Sequence, residues 1–193
     1  MVNYTSYLED TVFCNDRSYN EYLSSSGWNK DHSNDYNSEG MPPFLVFNGG
    51  NRLFMTETIN PTLVCKNKND KFTVSTGIGN GDLTYPVGLL TVDEMVYAGA
   101  SKGSNDTFYL YNSNYSWSLS PCYFFAGDAV GFTLSSDGRL DDAGVAYGSG
   151  VHSVVSLKPG IPISGGDGTA SSPYVIGITT NSSSGGSSEG EPE

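Results

Sequence analysis

Trp117-Ser118-Leu119-Ser120-Pro121, Ala129-Val130-Gly131-Phe132-Thr133-Leu134, Ser135-Ser136-Asp137-Gly138 and Val151-His152-Ser153-Val154-Val155-Ser156-Leu157 follow one another in the second half of the chain. Alternation and β-branched content mark the first, second and last of these as strands. The Asp-Gly dipeptide between Leu134 and Leu140 marks a tight hairpin turn. Phe108-Tyr109-Leu110-Tyr111 carries a similar strand pattern. The expectation is a mainly antiparallel sheet, with no conventional catalytic motif along it.

The strongest helix signal precedes that sheet, at Leu90-Thr91-Val92-Asp93-Glu94-Met95-Val96-Tyr97-Ala98-Gly99. Thr91 and Glu94 have the spacing of a capping box, and Leu90 can pack on Met95 as a hydrophobic staple. Val92, Met95 and Val96 share one face, and Gly99 is placed to end the helix in the left-handed conformation. A weaker helical turn is expected at Ser18, with Glu21 completing a second box. Phe44-Leu45-Val46-Phe47, Asn48-Gly49-Gly50-Asn51 and Arg52-Leu53-Phe54 read as a hairpin. Phe72-Thr73-Val74-Ser75 reads as a half-buried strand, residues 77 to 82 as a Gly-rich loop, and residues 24 to 40 as a polar surface loop pinned by Trp28.

The chain has 193 residues, of which 16% are charged, with a formal net charge of -12. Its pI is near 4.3. Such a balance repels a phosphate backbone, and the nine Lys and Arg are scattered along the sequence, so nucleic acid is excluded as an expected partner. No apolar run approaches the roughly 18 to 20 residues needed to cross a bilayer, so no membrane insertion is expected in this segment. The start, Met1-Val2-Asn3-Tyr4-Thr5, lacks the basic flank and apolar stretch of a signal peptide, which leaves a cytosolic protein or a fragment of a longer one. Gly, Tyr, Asn and Ser dominate the remainder and give an extracellular-style surface.

Cys14 and Cys65 each lie beside apolar residues at the edges of expected strands, which makes a bridge between them plausible. Closing a loop of that length would stabilise the fold by about 4 kcal/mol in the chain-entropy model. Cys122 would then stay unpaired. The alternative is three reduced, buried thiols.

Residues 85 to 94, Tyr85-Pro86-Val87-Gly88-Leu89-Leu90-Thr91-Val92-Asp93-Glu94, resemble the strand-to-helix entry of formylglycine-generating-enzyme-like (sulfatase-modifying-factor-like) domains. Residues 115 to 121, 129 to 132, Asp137-Gly138 and 151 to 157 resemble, in order, the C-terminal half of the same group. The resemblance spans roughly residues 85 to 176. It implies an α+β, loop-rich C-type-lectin-like fold with a short helix and a mainly antiparallel sheet. A single domain is expected over 1–178, with a disordered Gly/Ser/Glu tail over 179–193. Residues 165 to 175 resemble the tail that follows such domains in bacterial surface proteins. The family's last strand commonly reads Val-Arg-Pro-Val, where this chain has Val151-His152-Ser153-Val154.

The enzymes of that group act through a cysteine pair near the end of the domain. Cys122 is alone in the second half, so the resemblance implies the fold and not the reaction. Related domains occur on gut Firmicutes and among ligand-binding proteins diversified by retroelements. The implied role is a non-catalytic ligand-binding or adhesion module of a bacterial cell-surface or secreted protein, present here as a fragment of a longer chain. A structural stalk or tip domain and an unrecognised hydrolase are the alternatives.

The expected ligand surface, for a protein or a glycan, consists of Tyr123, Phe125, Asp128, Asp141, Asp142 and Tyr147. Tyr123, Phe124 and Phe125 follow Pro121 in an expected loop, and Tyr147 lies among glycines. Tyr gives large contact area at small entropy cost, and Gly and Ser let the backbone adapt. The competing reading puts Phe124 and Phe125 in the core with Tyr147 packed on it. Asp128, Asp137, Asp141 and Asp142 are expected to gather on one loop face, and Asp137 with Asp141 are the candidates for calcium, which takes hard oxygen ligands. No other cofactor is expected. His32 and His152 show no spacing that ties either to a cysteine or to a zinc cluster. Adjacent Asp93 and Glu94, like Asp141 and Asp142, point in different directions and make poor acid/base couples.

Overall fold

The computed structural model describes residues 4–19, 44–125, 127–169 and 171–177. The chain divides into two compact units between Leu157 and Lys158. The loop at 24–40 with Trp28, the capping box that needs Glu21, His32, the expected domain end at 178 and the tail lie outside the described residues.

In the first unit the strands are β1 (Leu8–Glu9), β2 (Phe13–Cys14), β3 (Phe44–Val46), β4 (Lys71–Phe72), β5 (Ser116–Phe125), β6 (Asp128–Leu134), β7 (Leu140–Gly144), β8 (Gly150–Val151) and β9 (Ser156–Leu157). Among the described residues they form a five-stranded sheet ordered β3-β5-β6-β7, with β8 also on β5, and the two-stranded ladders β1-β9 and β2-β4. All pairings are antiparallel except β8 with β5. The second unit contains the antiparallel pair β10 (Ile163–Gly165) and β11 (Val175–Ile176). The fold is mixed, with few helices and mainly antiparallel sheets.

The capping box forms as its spacing requires. Thr91 Oγ1 accepts from the Glu94 amide at 3.1 Å, and Glu94 Oε2 accepts from the Thr91 amide at 2.8 Å. Helix α2 runs over Val92–Tyr97, and Gly99 beyond it has φ +106°. Its Val92 is buried with Leu53, Cys122, Val130, Phe132 and Leu140, and its Met95 with Ala100, Phe108 and Leu134. The helix thereby closes one face of the sheet.

The expected hairpin at 44–54 is not present. Asn48–Gly50 is a helical turn, α1, that continues as a π-helical turn over Asn51–Met55. The two glycines serve close approach instead of a reversal: a Cβ on Gly50 would run into the Cys122 carbonyl oxygen of β5. With the glycines spent that way, β3 pairs with β5, Val46 opposite Tyr123.

Other expected strands shrink for the same kind of reason. Residues 108 to 111 form turns, because Phe108 is drawn into the core beside Leu134. The strand expected at 72–75 keeps only Phe72; Thr73 is fully buried and donates its hydroxyl to the Ser75 carbonyl. The run 151–157 breaks into β8, an isolated bridge of Val154 to Gly88, and β9, each with a different partner. The Asp-Gly turn does form, with the Ser135 amide on the Arg139 carbonyl at 2.9 Å and Gly138 at φ +78°.

Two cross-ties hold the segments together. Cys14 and Cys65 form the expected disulfide, with Cα atoms 5.8 Å apart, and Cys122 is free and buried. Arg52 grips the largely buried Asp93 with two bonds, Nε to Oδ1 at 2.9 Å and Nη2 to Oδ2 at 2.6 Å. Arg52 also reaches Asp16 Oδ2 at 3.2 Å, and the Thr62 amide donates to Asp93 Oδ1 at 2.8 Å. Removing one partner strands a charge in a poorly hydrated place, so Arg52→Ala is expected to cost about 3–5 kcal/mol. Cys14→Ser with Cys65→Ser is expected to cost about 4 kcal/mol. Urea denaturation measures both; a loss under about 1 kcal/mol in either variant would show that the tie carries no such strength.

Candidate functional site

Strand β5 does not end at Pro121. The register against β6 runs Trp117 to Thr133, Pro121 to Gly131 and Tyr123 to Val130, with shifts on both sides of the proline. Proline lacks the N–H of a regular ladder and is accommodated at such irregularities. Between Pro121 and Tyr123 two steps on β5 match one on β6, so the alternation of faces slips by one residue. Cys122 is fully buried, and Tyr123, which would otherwise share the face of Trp117 and Pro121, turns to the face of Val46 and Val130.

This slip gathers most of the expected surface. Residues directly opposite in a ladder share a face. Tyr123 pairs with Val130, Val130 with Gly144, Phe132 with Asp142 and Phe125 with Asp128. Tyr123, Phe125, Asp128 and Asp142 therefore lie on one face. Tyr147 joins them, since a Cβ built on Gly144 would meet the Tyr147 ring at 3.3 Å. Asp141, opposite Thr133, falls on the other face and leaves the group. The assignment of Tyr123–Phe125 to a loop is corrected: they are strand residues, and their strand geometry is what aligns them.

Exposure rises toward the open end of this face. Tyr123 is half-buried and packs against the core, Phe125 is 41% exposed and Tyr147 is 73% exposed. Phe124 is half-buried on the opposite face, facing Leu45 and Ala129. Asp128 is exposed and Asp142 half-buried. The Tyr123 hydroxyl donates to Asp142 Oδ2 at 2.9 Å. Burial, and then this carboxylate, push the Tyr123 phenol up to about 12. Burial likewise raises the Asp142 carboxyl, opposed by the bond from Tyr123 and helped by nearby Asp141.

The four aspartates do not gather. Asp128 opens β6, whereas Asp137 sits in the turn after its other end. Asp137 accepts from the Ser104 hydroxyl at 2.6 Å and from the Ser135 hydroxyl, which hold its carboxyl down at about 2. Asp141 pairs with Arg139 Nη2 at 3.0 Å. A guanidinium engages Asp141 Oδ2, and two hydroxyls engage the oxygens of Asp137. Among the described residues no group of three His, Cys, Asp or Glu is placed to hold a metal ion.

Cys122 is buried, and burial pushes its thiol far up, which keeps it protonated and unreactive. His152 Nε2 is hydrogen-bonded to the Asn112 side-chain amide at 2.8 Å. A second feature was not expected from the sequence. Arg17, Lys66 and Lys68, which looked scattered, line one groove together. The signal that could have found it is the Cys14–Cys65 pairing, which draws residues 14–19 onto 65–70.

No protein-family model, curated protein or solved structure matches the chain.

The Tyr123–Asp142 bond gives a pH signature with a definite sign. A phenol whose folded pKa lies above its unfolded value near 10 contributes stability that is full below pH 10 and lost as pH rises through about 12. Tyr123→Phe is expected to flatten that alkaline loss and to cost about 1 kcal/mol at neutral pH. Thermal melts between pH 7 and 12 measure it; an unchanged alkaline profile in the variant would place the titration elsewhere.

Proposed function

We propose that the chain is a non-catalytic ligand-binding or adhesion module with a C-type-lectin-like fold, part of a bacterial cell-surface or secreted protein. The ligand is a protein or a glycan. One observation carries this reading: at the end of the core-bearing sheet face, where Phe125 is 41% and Tyr147 73% exposed, these rings stand with exposed Asp128 beside half-buried Tyr123 and Asp142. Aromatic rings combine apolar area with low entropy cost, and carboxylates accept hydrogen bonds from hydroxyl or amide donors. An exposed ring seated on a glycine backbone, as Tyr147 is on Gly144, is a flat surface already held for stacking.

The Cys14–Cys65 bridge is compatible with an oxidising compartment, which supports placement outside the cell. Among the described residues no helix is long and apolar enough to cross a membrane.

Glycan and protein arrays, probed with the full chain in calcium and in chelator, test the reading. A hit is expected to lose roughly tenfold or more in affinity with Tyr147→Ala, the scale of a central aromatic contact. The same variant should melt within about half a kcal/mol of the wild type, because the ring is largely exposed. No ligand above background, or a hit that Tyr147→Ala and Phe125→Ala bind as well as the wild type, would assign this face to scaffolding.

A further inference from the structure

The Cys14–Cys65 disulfide lays residues 14–19 beside residues 65–70, and between them lies a groove of 770 Å³ lined by Arg17 to Tyr19 and Lys66 to Asp70. Its charge is opposite to that of the molecule. Three cations, Arg17, Lys66 and Lys68, face one carboxylate in a chain of net charge -12.

The one carboxylate is a structural clamp. Asp70 is 5% exposed, and its oxygens accept from Arg17 Nε at 2.8 Å, Asn67 Nδ2 at 3.1 Å and the Arg17 amide at 3.4 Å. Arg17 Nη2 donates to the Asn69 carbonyl at 2.9 Å, and the guanidinium carbon stands 5.9 Å from the centre of the Phe72 ring. Held at three points, the guanidinium keeps one edge, at Nη1, without a hydrogen bond to any described residue. No ion pair to a described residue engages Lys66 or Lys68. An arginine fixed before binding loses little freedom when it binds.

We infer that this groove is a binding site for acidic saccharides, chains carrying carboxylate or sulfate groups, and that it is separate from the aromatic face. The cations match the acid groups. The rest of the lining matches the sugar: Tyr19, 54% exposed, offers a ring, and Ser18, Asn67 and Asn69 offer polar groups for hydroxyls. The volume exceeds what a lone phosphate needs and suits a few sugar residues. Elsewhere the acidic surface repels such ligands, so binding is local, modest and sensitive to salt.

The test uses the full chain and titration calorimetry with a heparin hexasaccharide, an oligogalacturonate, the neutral maltohexaose and a short poly-glutamate peptide. At least one acidic saccharide is expected to bind while maltohexaose does not, with affinity falling severalfold as salt rises from low to physiological levels. Lys66→Ala and Lys68→Ala, on exposed side chains, are each expected to weaken binding about tenfold. Their melts should match the wild type, and Tyr147→Ala should bind like the wild type. Failure of both acidic saccharides, equal binding of maltohexaose, or full affinity in the double lysine variant overturns the proposal. So does binding of the peptide alone, which would make the ligand an acidic protein segment.

Discussion

The register slip between Pro121 and Tyr123 is the constraint on which the arrangement of this sheet depends. A strand of ten residues with perfect alternation would send Cys122 to one face and Tyr123 to the other. Here both turn inward, Cys122 into the core and Tyr123 to its margin. Everything after the slip is inverted relative to a regular strand, and Phe125 follows Tyr123 onto the face of Asp142. On the other edge of β5 the Cys122 carbonyl accepts the Phe47 amide at 3.1 Å, continuing the β3 register and seating the glycine-rich turn on the sheet. The irregularity at Pro121 therefore sets which side chains of β5 share the face of Asp142.

Around that sheet the first unit is tied by few, strong, long-range contacts. Arg52 joins the π-helical turn to α2 and to Asp16, Asp70 joins the segment after β2 to the start of β4, and the disulfide joins the same two stretches. The long irregular connections have little ladder of their own, so such ties limit the freedom that folding must remove. Charges in these ties are nearly all accounted for by partners, as burial requires. Among the described residues, Lys66 and Lys68 form no ion pair.

What could be read from the sequence was local. The Thr91–Glu94 box, the left-handed Gly99 and the Asp137-Gly138 turn each follow from residues within four positions of one another, and each formed. The Cys14–Cys65 pair was also legible, because three cysteines leave few pairings and both lie at strand edges. Asn48-Gly49-Gly50 was misread because the same glycines permit a reversed turn or a close approach, and the Cys122 carbonyl that decides between them lies over seventy positions away. Phe108 to Tyr111 alternates like a strand, yet the core beside Leu134 claims Phe108, and these residues pair with no strand among the described residues. Tyr123 to Phe125 were read as a loop but are strand residues, and that Asp141 lies on the face opposite Asp142 follows only from ladder pairing. The basic groove depends on the disulfide, and no window of sequence contains both of its walls.

The two surfaces of the first unit differ in what they offer a ligand. On the sheet face the Tyr123 hydroxyl is already committed to Asp142 Oδ2, so the proton it could donate is used within the protein. Asp142 Oδ1 takes no hydrogen bond from any described residue, and exposed Asp128 adds further carboxyl oxygens. Rings and acceptors together favour a partner that brings its own donors, such as sugar hydroxyls or the amides and cations of a peptide. The groove has the inverse chemistry, with guanidinium and ammonium donors beside a single carboxylate that is fully engaged. A ligand rich in acid groups would be repelled by the first surface and drawn to the second. If both surfaces bind as proposed, charge sorts ligands between them, and the sorting rests on Asp70 being held by Arg17 and Asp142 by Tyr123 before any ligand arrives.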